Sequence, residues 1–322
     1  MCASITDVRG LTVGHQTDNQ ATTGLTVVLG PSGGVRAAAH LRGRATGTRE
    51  LDALSPRHLV GKIHGILLTG GSAFGLGAAD GVMRWLDERG RGYDVGVGVV
   101  PIVPTAVIFD LGIGDSHAWP RADDGYQACE TATAEVEEGS VGVGTGATVG
   151  KVRGLGSAMK GGVGTWSASH GDTVVGCLAV VNAFGDVRDR RGEIIAGTRT
   201  ADGFLDARRY LAHGGTPGGS FAREGGNTTL VVVATNADLD RVELAGVAVM
   251  ATDALGQRIT PVGTQYDGDI VFALSTGEVT PRSTLPLELL AQEVTGVAVE
   301  RAVRLAHGTK DVPGLGEYHS SP

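Results

Sequence analysis

The order of apolar and polar residues along the chain predicts strands and helices in alternation. Apolar runs rich in β-branched residues, each bounded by glycine or acidic residues, are typical of buried strands. Such runs predict strands at 5–15 with a turn at Gly10, at 24–30, from 64 into a glycine turn at 70–71, at 172–182, at 228–234 and at 270–274. The segments between them are long enough for helices, which favours a mixed α/β fold.

Helices are predicted where apolar residues recur every three or four positions. These segments are 78–86, 123–138, 240–254 and 285–306. The uncharged stretch 95–109 contains Pro101 and Pro104 and is too short to span a bilayer, so we predict buried strand and turn there. Strands and helices alternate without a clean break, and we therefore expect a single domain over 1–322.

One segment interrupts this pattern. Residues 211–226 contain six glycines, one proline and charges of both signs, which is typical of an exposed, flexible linker. The chain then passes directly into Asn227-Thr-Thr and an apolar run. This abrupt change is the most unusual feature of the sequence.

Composition and charge narrow the class of protein. Glycine accounts for 53 of 322 residues, but it does not recur every third residue as in collagen. Because aromatics make up only 4% of the chain, small aliphatic side chains must fill the core, which suits stacked layers of sheets and helices. The net charge of −8 without a strongly basic cluster makes nucleic acid an unexpected partner. We expect no membrane span, and three scattered cysteines indicate a reduced, cytoplasmic protein. Nine widely spaced histidines offer no recognisable metal site, so no metal and no cofactor are expected.

The junction between linker and strand has two interpretations. Asn227 begins an N-x-[ST] sequon, which a secreted protein could glycosylate, but the N-terminal residues lack the order of a signal peptide. Alternatively, the Thr228 hydroxyl attacks the preceding carbonyl and the bond between Asn227 and Thr228 breaks. Thr228 then carries a free α-amine with a pKa of about 8, which can deprotonate the hydroxyl of the same residue.

Four other polar residues each have a structural and a chemical interpretation. Lys151 ends the glycine-rich run 142–151, which lacks the spacing of a phosphate-binding loop, so it is either a surface lysine or a charge in a cleft. Asn182 ends a predicted strand and is either a turn residue or an amide donor. Asp267 and Asp269 can project from one face of a strand or form a hairpin turn.

Several motifs occur in a fixed order along nearly the whole chain. They are ITDVRGLTVGH at 5–15, TGGSAFGL at 69–76, VPTAVIFD at 103–110, KGGVGT at 160–165, NTT at 227–229 and GDIVFALSTG at 268–277. In this order they resemble the self-cleaving aminopeptidases related to L-aminopeptidase D-Ala-esterase/amidase, the β-peptidyl aminopeptidases and the nylon-oligomer endohydrolase.

The resemblance implies an α/β fold arranged as a four-layer αββα sandwich, similar to that of N-terminal-nucleophile hydrolases and ornithine acetyltransferase. It also implies self-cleavage into an α chain, residues 1–227, and a β chain, residues 228–322. Homo-oligomers are implied as well, as tetramers of the cleaved αβ units.

The resemblance assigns roles by position in this sequence. Thr228 matches the nucleophile, and Asn182 matches the asparagine on the oxyanion side. Asp267 and Asp269 match the acidic pair that orients the N-terminal residue. Lys151 falls where the nylon-oligomer branch has its active-site lysine, and Lys160 is the second choice for that role.

The aminopeptidase branch differs from this sequence at the junction and around it. Its members cleave before serine, usually after glycine, carry tyrosine near the position of Lys151, and have serine and glutamate where Asp267 and Asp269 stand. The set found here resembles the nylon-oligomer branch. We therefore expect a self-processing amidohydrolase that acts on small-molecule amides or peptides, at internal or ω-amino amide bonds.

Three other functions stay open from the sequence. The first is an aminopeptidase for N-terminal amino acids, including β- or D-amino acids. The second is an acyltransferase, since the same fold type supports transfer to an amine instead of water. The most remote is a non-catalytic, glycine-rich protein that binds nucleotides.

Overall fold

The computed structural model describes residues 3–218 and 226–320. Two five-stranded sheets form its centre. From edge to edge, the first sheet consists of β1 (Thr12–Asp18), β2 (Thr23–Leu29), β5 (Gly65–Thr69), β8 (Thr105–Val107) and β4 (Thr48–Arg49). The second consists of β11 (Val163–His170), β12 (Thr173–Asn182), β17 (Thr228–Ala237), β19 (Ile270–Val279) and β3 (Arg36–Leu41).

Short strands pair outside these sheets. They are β6 (Tyr93–Asp94) with β7 (Val99–Val100), β9 (Thr148–Val149) with β10 (Met159–Lys160), β15 (Arg199–Thr200) with β16 (Gly203–Phe204), and β13 (Asp186–Arg188) with β14 (Ile194–Ala196) and β18 (Ile259–Thr260).

Six α-helices occur in the described residues: α1 (Ala79–Asp87), α2 (Ala122–Glu130), α3 (Ala207–Ala212), α4 (Arg241–Arg258), α5 (Leu285–Arg304) and α6 (Leu315–Ser320). Short 3₁₀ helices occur at Ile5–Asp7, Leu51–Leu54, Ser72–Ala78, Gly142–Gly146 and Leu155–Ser157. Within residues 3–218 and 226–320, no helix is long and apolar enough to cross a bilayer.

Three large apolar cores and one small cluster around Phe184 hold these elements together. One core contains side chains of α4, α5 and one face of the second sheet. Another mixes side chains of both sheets, such as Ile66 and Val232, and the third joins the first sheet to α1 and α2. Neighbouring residues of β17 enter different cores, Val232 facing the first sheet and Val233 facing the helices, because side chains alternate along a strand. This double burial explains the continuous apolar run after Thr228.

The strands expected near 24–30, 64–69, 172–182, 228–234 and 270–274 are confirmed, as are the helices near 78–86, 240–254 and 285–306. The mixed α/β class is also confirmed. At 5–15 the strand begins only at Thr12, because residues Ile5–Asp7 form a 3₁₀ turn instead.

Two other predictions were wrong in part. The helix expected at 123–138 ends at Glu130, because the backbone of Thr133 pairs with Val13 at 2.9 and 3.0 Å. In the stretch 95–109, residues before Pro101 form an exposed hairpin rather than a buried strand, with Val97 97% exposed at its tip. Glycines on both sides of Val97 have positive φ and permit the tight turn.

The predicted linker 211–226 begins differently from expectation. Its first two residues complete α3, whose N-terminus is capped by the carboxylate of Asp206 accepting from the Arg209 amide. Residues 219–225 lie outside the described residues, so the rest of that prediction stays a prediction. The chain is described again from Gly226, which is buried.

Candidate active site

The second sheet brings the predicted site residues together where three adjacent strands begin or end. β12 ends at Asn182 and β17 begins at Thr228, and their antiparallel register places these two residues opposite each other. β19 runs parallel to β17 on its other side and starts at Ile270, directly after Asp269. The predicted nucleophile, amide and acidic pair therefore lie together at one end of these three strands, although the strands' contributions are 39 or more residues apart in sequence.

The peptide bond between Asn227 and Thr228 is buried. Thr228 is only 3% exposed and Asn227 is fully buried. The carbonyl oxygen of Asn227 accepts a hydrogen bond from the amide of Gly268 at 2.7 Å. A backbone N–H at this position polarises the carbonyl and can stabilise the negative charge that develops on it during attack.

Gly268 approaches the junction more closely than a larger residue could. A Cβ atom there would lie 2.6 Å from the carbonyl oxygen of Ala45 and 2.9 Å from Thr228 Oγ1. Real Cβ atoms essentially never come within 3.0 Å of such neighbours. Glycine is therefore required between the two aspartates for the amide to reach the Asn227 carbonyl.

The Asn227 side chain is held on one side only. Its amide Nδ2 donates to the Tyr266 carbonyl at 3.3 Å. Its Oδ1 is buried and has no hydrogen-bond partner among the described residues.

Lys151 is buried beside the junction and is not the surface lysine that the sequence left open. It is 1% exposed, and its Nζ donates to the carbonyl oxygens of Asn182 at 3.0 Å and Gly226 at 3.1 Å and to Asn182 Oδ1 at 2.8 Å. Burial lowers the pKa of Lys151 from 10.5 to about 7, against the attraction of Asp267, which raises it. Near neutral pH this amine can exchange a proton.

The Asn182 side chain is oriented by contacts on both of its ends. Its Oδ1 accepts from Lys151 Nζ and from the Thr148 amide at 3.0 Å. Its Nδ2 donates to the carbonyls of Phe109 at 3.3 Å and Gly226 at 3.4 Å. In the intact chain the Asn182 amide thus contacts the carbonyl one residue before the bond expected to break, whereas the Asn227 carbonyl is bound by Gly268.

The two aspartates hold the start of β17 and the loop in front of β19. Asp269 Oδ1 accepts from the Thr229 amide at 2.7 Å, and its Oδ2 accepts from the Gly263 amide at 3.0 Å. Asp267 Oδ2 accepts from the amide and hydroxyl of Thr264 at 2.8 and 2.7 Å. Burial raises the pKa of both carboxyls, that of Asp269 to about 7 with a further contribution from the charge of Asp267.

Lys160, the second choice for the active-site lysine, lies on β10 and is also buried. Its Nζ donates to the carbonyls of Gly144 at 3.3 Å, Thr145 at 2.7 Å and Ala147 at 2.8 Å. Of the two lysines, Lys151 is the one that contacts Asn182 and Gly226. Lys160 binds a neighbouring loop instead.

Sequence reasoning missed two contributors to the site. The sequence indicates no more than a possible hairpin turn at Gly268, whereas its amide binds the Asn227 carbonyl. Asp110, at the end of the VPTAVIFD motif, is buried with a raised pKa caused by burial. A buried carboxylate after an apolar strand run is unusual enough to have been a signal.

Among residues 3–218 and 226–320, no three histidine, cysteine, aspartate or glutamate side chains are grouped to hold a metal ion. The groups gathered at the junction are instead a hydroxyl, an amine, two carboxyls, an amide side chain and a backbone N–H. These are the groups that acyl transfer requires: a nucleophile, proton carriers and oxyanion donors.

Comparisons with known proteins relate the chain to peptidases. The family model for peptidase family S58 matches residues 3–310. An uncharacterized aminopeptidase of Mycobacterium tuberculosis is 44% identical over 326 residues, covering 94% of this chain and 91% of the relative. The 6-aminohexanoate-oligomer endohydrolase of Agromyces sp. is 31% identical over 287 residues, covering 85% of this chain and 75% of the relative.

A solved structure shows the fold. L-aminopeptidase D-Ala-esterase/amidase from Ochrobactrum anthropi, described as a prototype for the serine aminopeptidases and a new variant of the Ntn hydrolase fold, superimposes with a TM-score of 0.71. The match covers 96% of this chain and 88% of that chain at 22% identity. The fold, the relatives and the family match define a hydrolase that acts on amide bonds. The chain belongs to peptidase family S58, which confirms the resemblance carried by its motifs.

Proposed function

We propose that the chain is a self-processing amidohydrolase that cleaves itself between Asn227 and Thr228 and then hydrolyses amide bonds through an acyl-enzyme on Thr228. The observation that carries this proposal is the Gly268 amide, which donates at 2.7 Å to the carbonyl of the bond to be broken. The same hydrogen bond belongs to a parallel β-bridge between Asn227 and Asp267 that extends the pairing of β17 with β19, so the sheet itself holds this donor against the carbonyl that precedes Thr228.

Self-cleavage begins with attack by Thr228 Oγ1 on the carbonyl carbon of Asn227. The new C–O bond forms, the C–N bond to Thr228 breaks, and the hydroxyl proton goes to the departing nitrogen, which gives an ester and a free α-amine. Water hydrolyses the ester, leaving a carboxylate on Asn227 and restoring the Thr228 hydroxyl. Gly268 stabilises the oxyanion in both steps.

Hydrolysis of substrate repeats this chemistry with a foreign amide. The Thr228 α-amine accepts the hydroxyl proton and returns it to the leaving amine. Asp269 already binds the neighbouring Thr229 amide and, with Asp267, orients the new terminus. Lys151 supplies positive charge to the site, and Asn182 serves as an oxyanion donor together with Gly268 when its Nδ2 turns from the carbonyl of Gly226 to that of the scissile bond.

The contacts to Gly226 support internal amide bonds as substrates. In the intact chain, Gly226 occupies the position of a substrate group one residue before the scissile one. Its carbonyl accepts from Lys151 Nζ and Asn182 Nδ2. Two donors complement a carbonyl oxygen and repel the ammonium of a free N-terminus. We therefore favour internal bonds of peptides or ω-amino-acid oligomers of the nylon type.

An aminopeptidase for N-terminal amino acids, including β- or D-residues, is the second candidate, since relatives and solved structures carry that description. Acyl transfer to an amine is the third. Kinetics on linear 6-aminohexanoate oligomers with free and with N-acetylated amino ends separate the first two candidates. Retained turnover on the acetylated oligomer supports internal cleavage, whereas its loss supports an aminopeptidase. Products formed with added amines test transfer.

Three structural expectations belong to the same proposal. The three large cores support a four-layer order of helices, sheet, sheet and helices, the αββα sandwich of N-terminal-nucleophile hydrolases and ornithine acetyltransferase.

Exposed apolar side chains such as Val97 and Leu59 support assembly into homo-oligomers, which light scattering would count as tetramers of αβ units. Cys129 and Cys177 are both buried and unpaired, which supports a reducing cytoplasmic location.

Intact mass spectrometry of the wild type beside Thr228→Ala tests the central claim. We expect two fragments that divide after Asn227 in the wild type and a single chain of 32.8 kDa in the variant. A wild type that stays uncleaved and hydrolyses no amide would refute the proposal. Cleavage at another bond would remove Thr228 as the nucleophile.

A further inference from the structure

Lys160 is a buried charge for which the reaction has no direct use. The chain contains four lysines, of which Lys62 and Lys310 are exposed and the other two are 1% exposed. Lys151 contacts the junction, whereas Lys160 donates its hydrogen bonds to the carbonyls of Gly144, Thr145 and Ala147. Burying an amine is costly, as the lowering of its pKa to about 7 by desolvation shows.

The loop that Lys160 binds leads directly to the Asn182 side chain. The carbonyls it holds belong to the 3₁₀ turn Gly142–Gly146 and to the residue after it. The following residue, Thr148, pairs with Lys160 across β9 and β10 and donates its amide to Asn182 Oδ1 at 3.0 Å. Lys160 therefore fixes the backbone donor that binds the oxygen of the Asn182 amide.

A buried carboxylate fixes the other end of that amide. Asp110 Oδ1 accepts from the Gly71 amide and its Oδ2 from the Thr23 hydroxyl, each at 2.7 Å. The preceding carbonyl, that of Phe109, accepts from Asn182 Nδ2 at 3.3 Å. The negative charge of Asp110 also raises the pKa of Lys160 and so opposes the effect of burial. Lys160 and Asp110, which have opposite charges, thus hold the two backbone segments that contact the Asn182 side chain. The Thr148 N–H binds its oxygen, and the Phe109 carbonyl binds its nitrogen.

We propose that Lys160 is a positioning residue for the reaction, which acts through the Thr148 amide to keep Asn182 Nδ2 directed toward the scissile segment. A rotated amide would present an oxygen to developing negative charge and would lose the donor. This inference rests on the proposed function, in which Asn182 is an oxyanion donor. It assigns to Lys160 no contact with substrate.

The test is a double-mutant cycle on the rate of self-cleavage and on kcat and KM for a 6-aminohexanoate oligomer. Because small displacements of a catalytic group cost up to about a hundredfold, we expect Lys160→Met to lower both rates about ten- to a hundredfold with KM little changed. In an Asn182→Ala background the same substitution should cause no further loss. Lys160→Arg, which keeps the charge and donors, should restore part of the rate, and Lys62→Met is the matched control at an exposed lysine.

Thermal unfolding shows whether each variant folds. If Lys160→Met does not fold, Lys160→Gln enters the same cycle, because its amide still donates to part of the loop. Wild-type rates in either variant would overturn the inference, as would an equal loss with and without Asn182. An inactive, uncleaved wild type would instead refute the proposed function, so the two failures are distinguishable.

Discussion

Gly268→Ala is the sharpest test of the geometry at the junction. The added Cβ would stand 2.6 Å from the Ala45 carbonyl oxygen and 2.9 Å from Thr228 Oγ1, so the segment between the aspartates must move away. Any such shift lengthens the 2.7 Å hydrogen bond from the Gly268 amide to the Asn227 carbonyl. The substitution therefore removes an oxyanion donor without deleting a side chain.

The size of the effect follows from what such donors contribute. Removal of one oxyanion donor typically lowers the rate about a hundred- to a thousandfold, or about 2.7–4 kcal/mol in the activation free energy. Self-cleavage of Gly268→Ala should slow by that factor. Hydrolysis of an added substrate should slow to a similar extent, because the same N–H serves both reactions.

The assay follows the 32.8 kDa chain as it is converted into its two fragments after rapid purification. Gly61→Ala is the control, because Gly61 is exposed and a Cβ there meets no atom within 4 Å. Thermal unfolding of uncleaved Gly268→Ala shows whether the fold survives. A folded Gly268→Ala variant that cleaves at the wild-type rate would refute the assignment of this amide to the oxyanion.

Further predictions concern the side chains around the junction. Asn182→Ala should lower turnover about a hundred- to a thousandfold while still folding, and near wild-type turnover would remove Asn182 from the mechanism. Thr228→Ser should still cleave, since it keeps a hydroxyl, and an inert serine variant would argue against attack by that oxygen. Burial lowers the pKa of Lys151 from 10.5 to about 7, so between these values the unfolded chain holds a proton that the folded chain has released. In a Thr228→Ala background, the stability relative to Lys151→Met should therefore rise with pH across that window in urea unfolding, and a constant difference would contradict the pKa.

The site could be predicted from the sequence where a residue's role depends on its place in a strand. Thr228 begins an apolar β-branched run and Asn182 ends another, and such runs define buried strands through local composition alone. Their pairing across β12 and β17 was not visible in either run, because register is set by contacts between distant segments. The motif resemblance supplied that connection.

Apart from the hairpin before Pro101, whose turn is set by local glycines, the misses depend on tertiary contacts. Nothing local in Thr131–Glu138 shows that the Thr133 backbone will pair with Val13 and end the helix early. Burial of Lys151 and Lys160 likewise contradicts the ordinary preference of lysine for the surface. The loop that clamps the aspartates, in which the amides of Arg44 and Ala45 donate to the Asp267 carbonyl, lies more than 200 residues away in sequence.

The intact junction also suggests why the site would need to be cut before it can act. In the uncleaved chain, Lys151 Nζ and Asn182 Nδ2 donate to the Gly226 carbonyl, and the Gly268 amide donates to the Asn227 carbonyl. All three donors are therefore already used by the chain itself. A substrate amide cannot reach them, and Thr228 has no free α-amine, while the preceding peptide bond is intact. Cleavage would convert Asn227 into a carboxylate whose new charge beside Asp267 and Asp269 favours its departure. The same donors that hold the precursor's own carbonyls would then be free to bind those of a substrate.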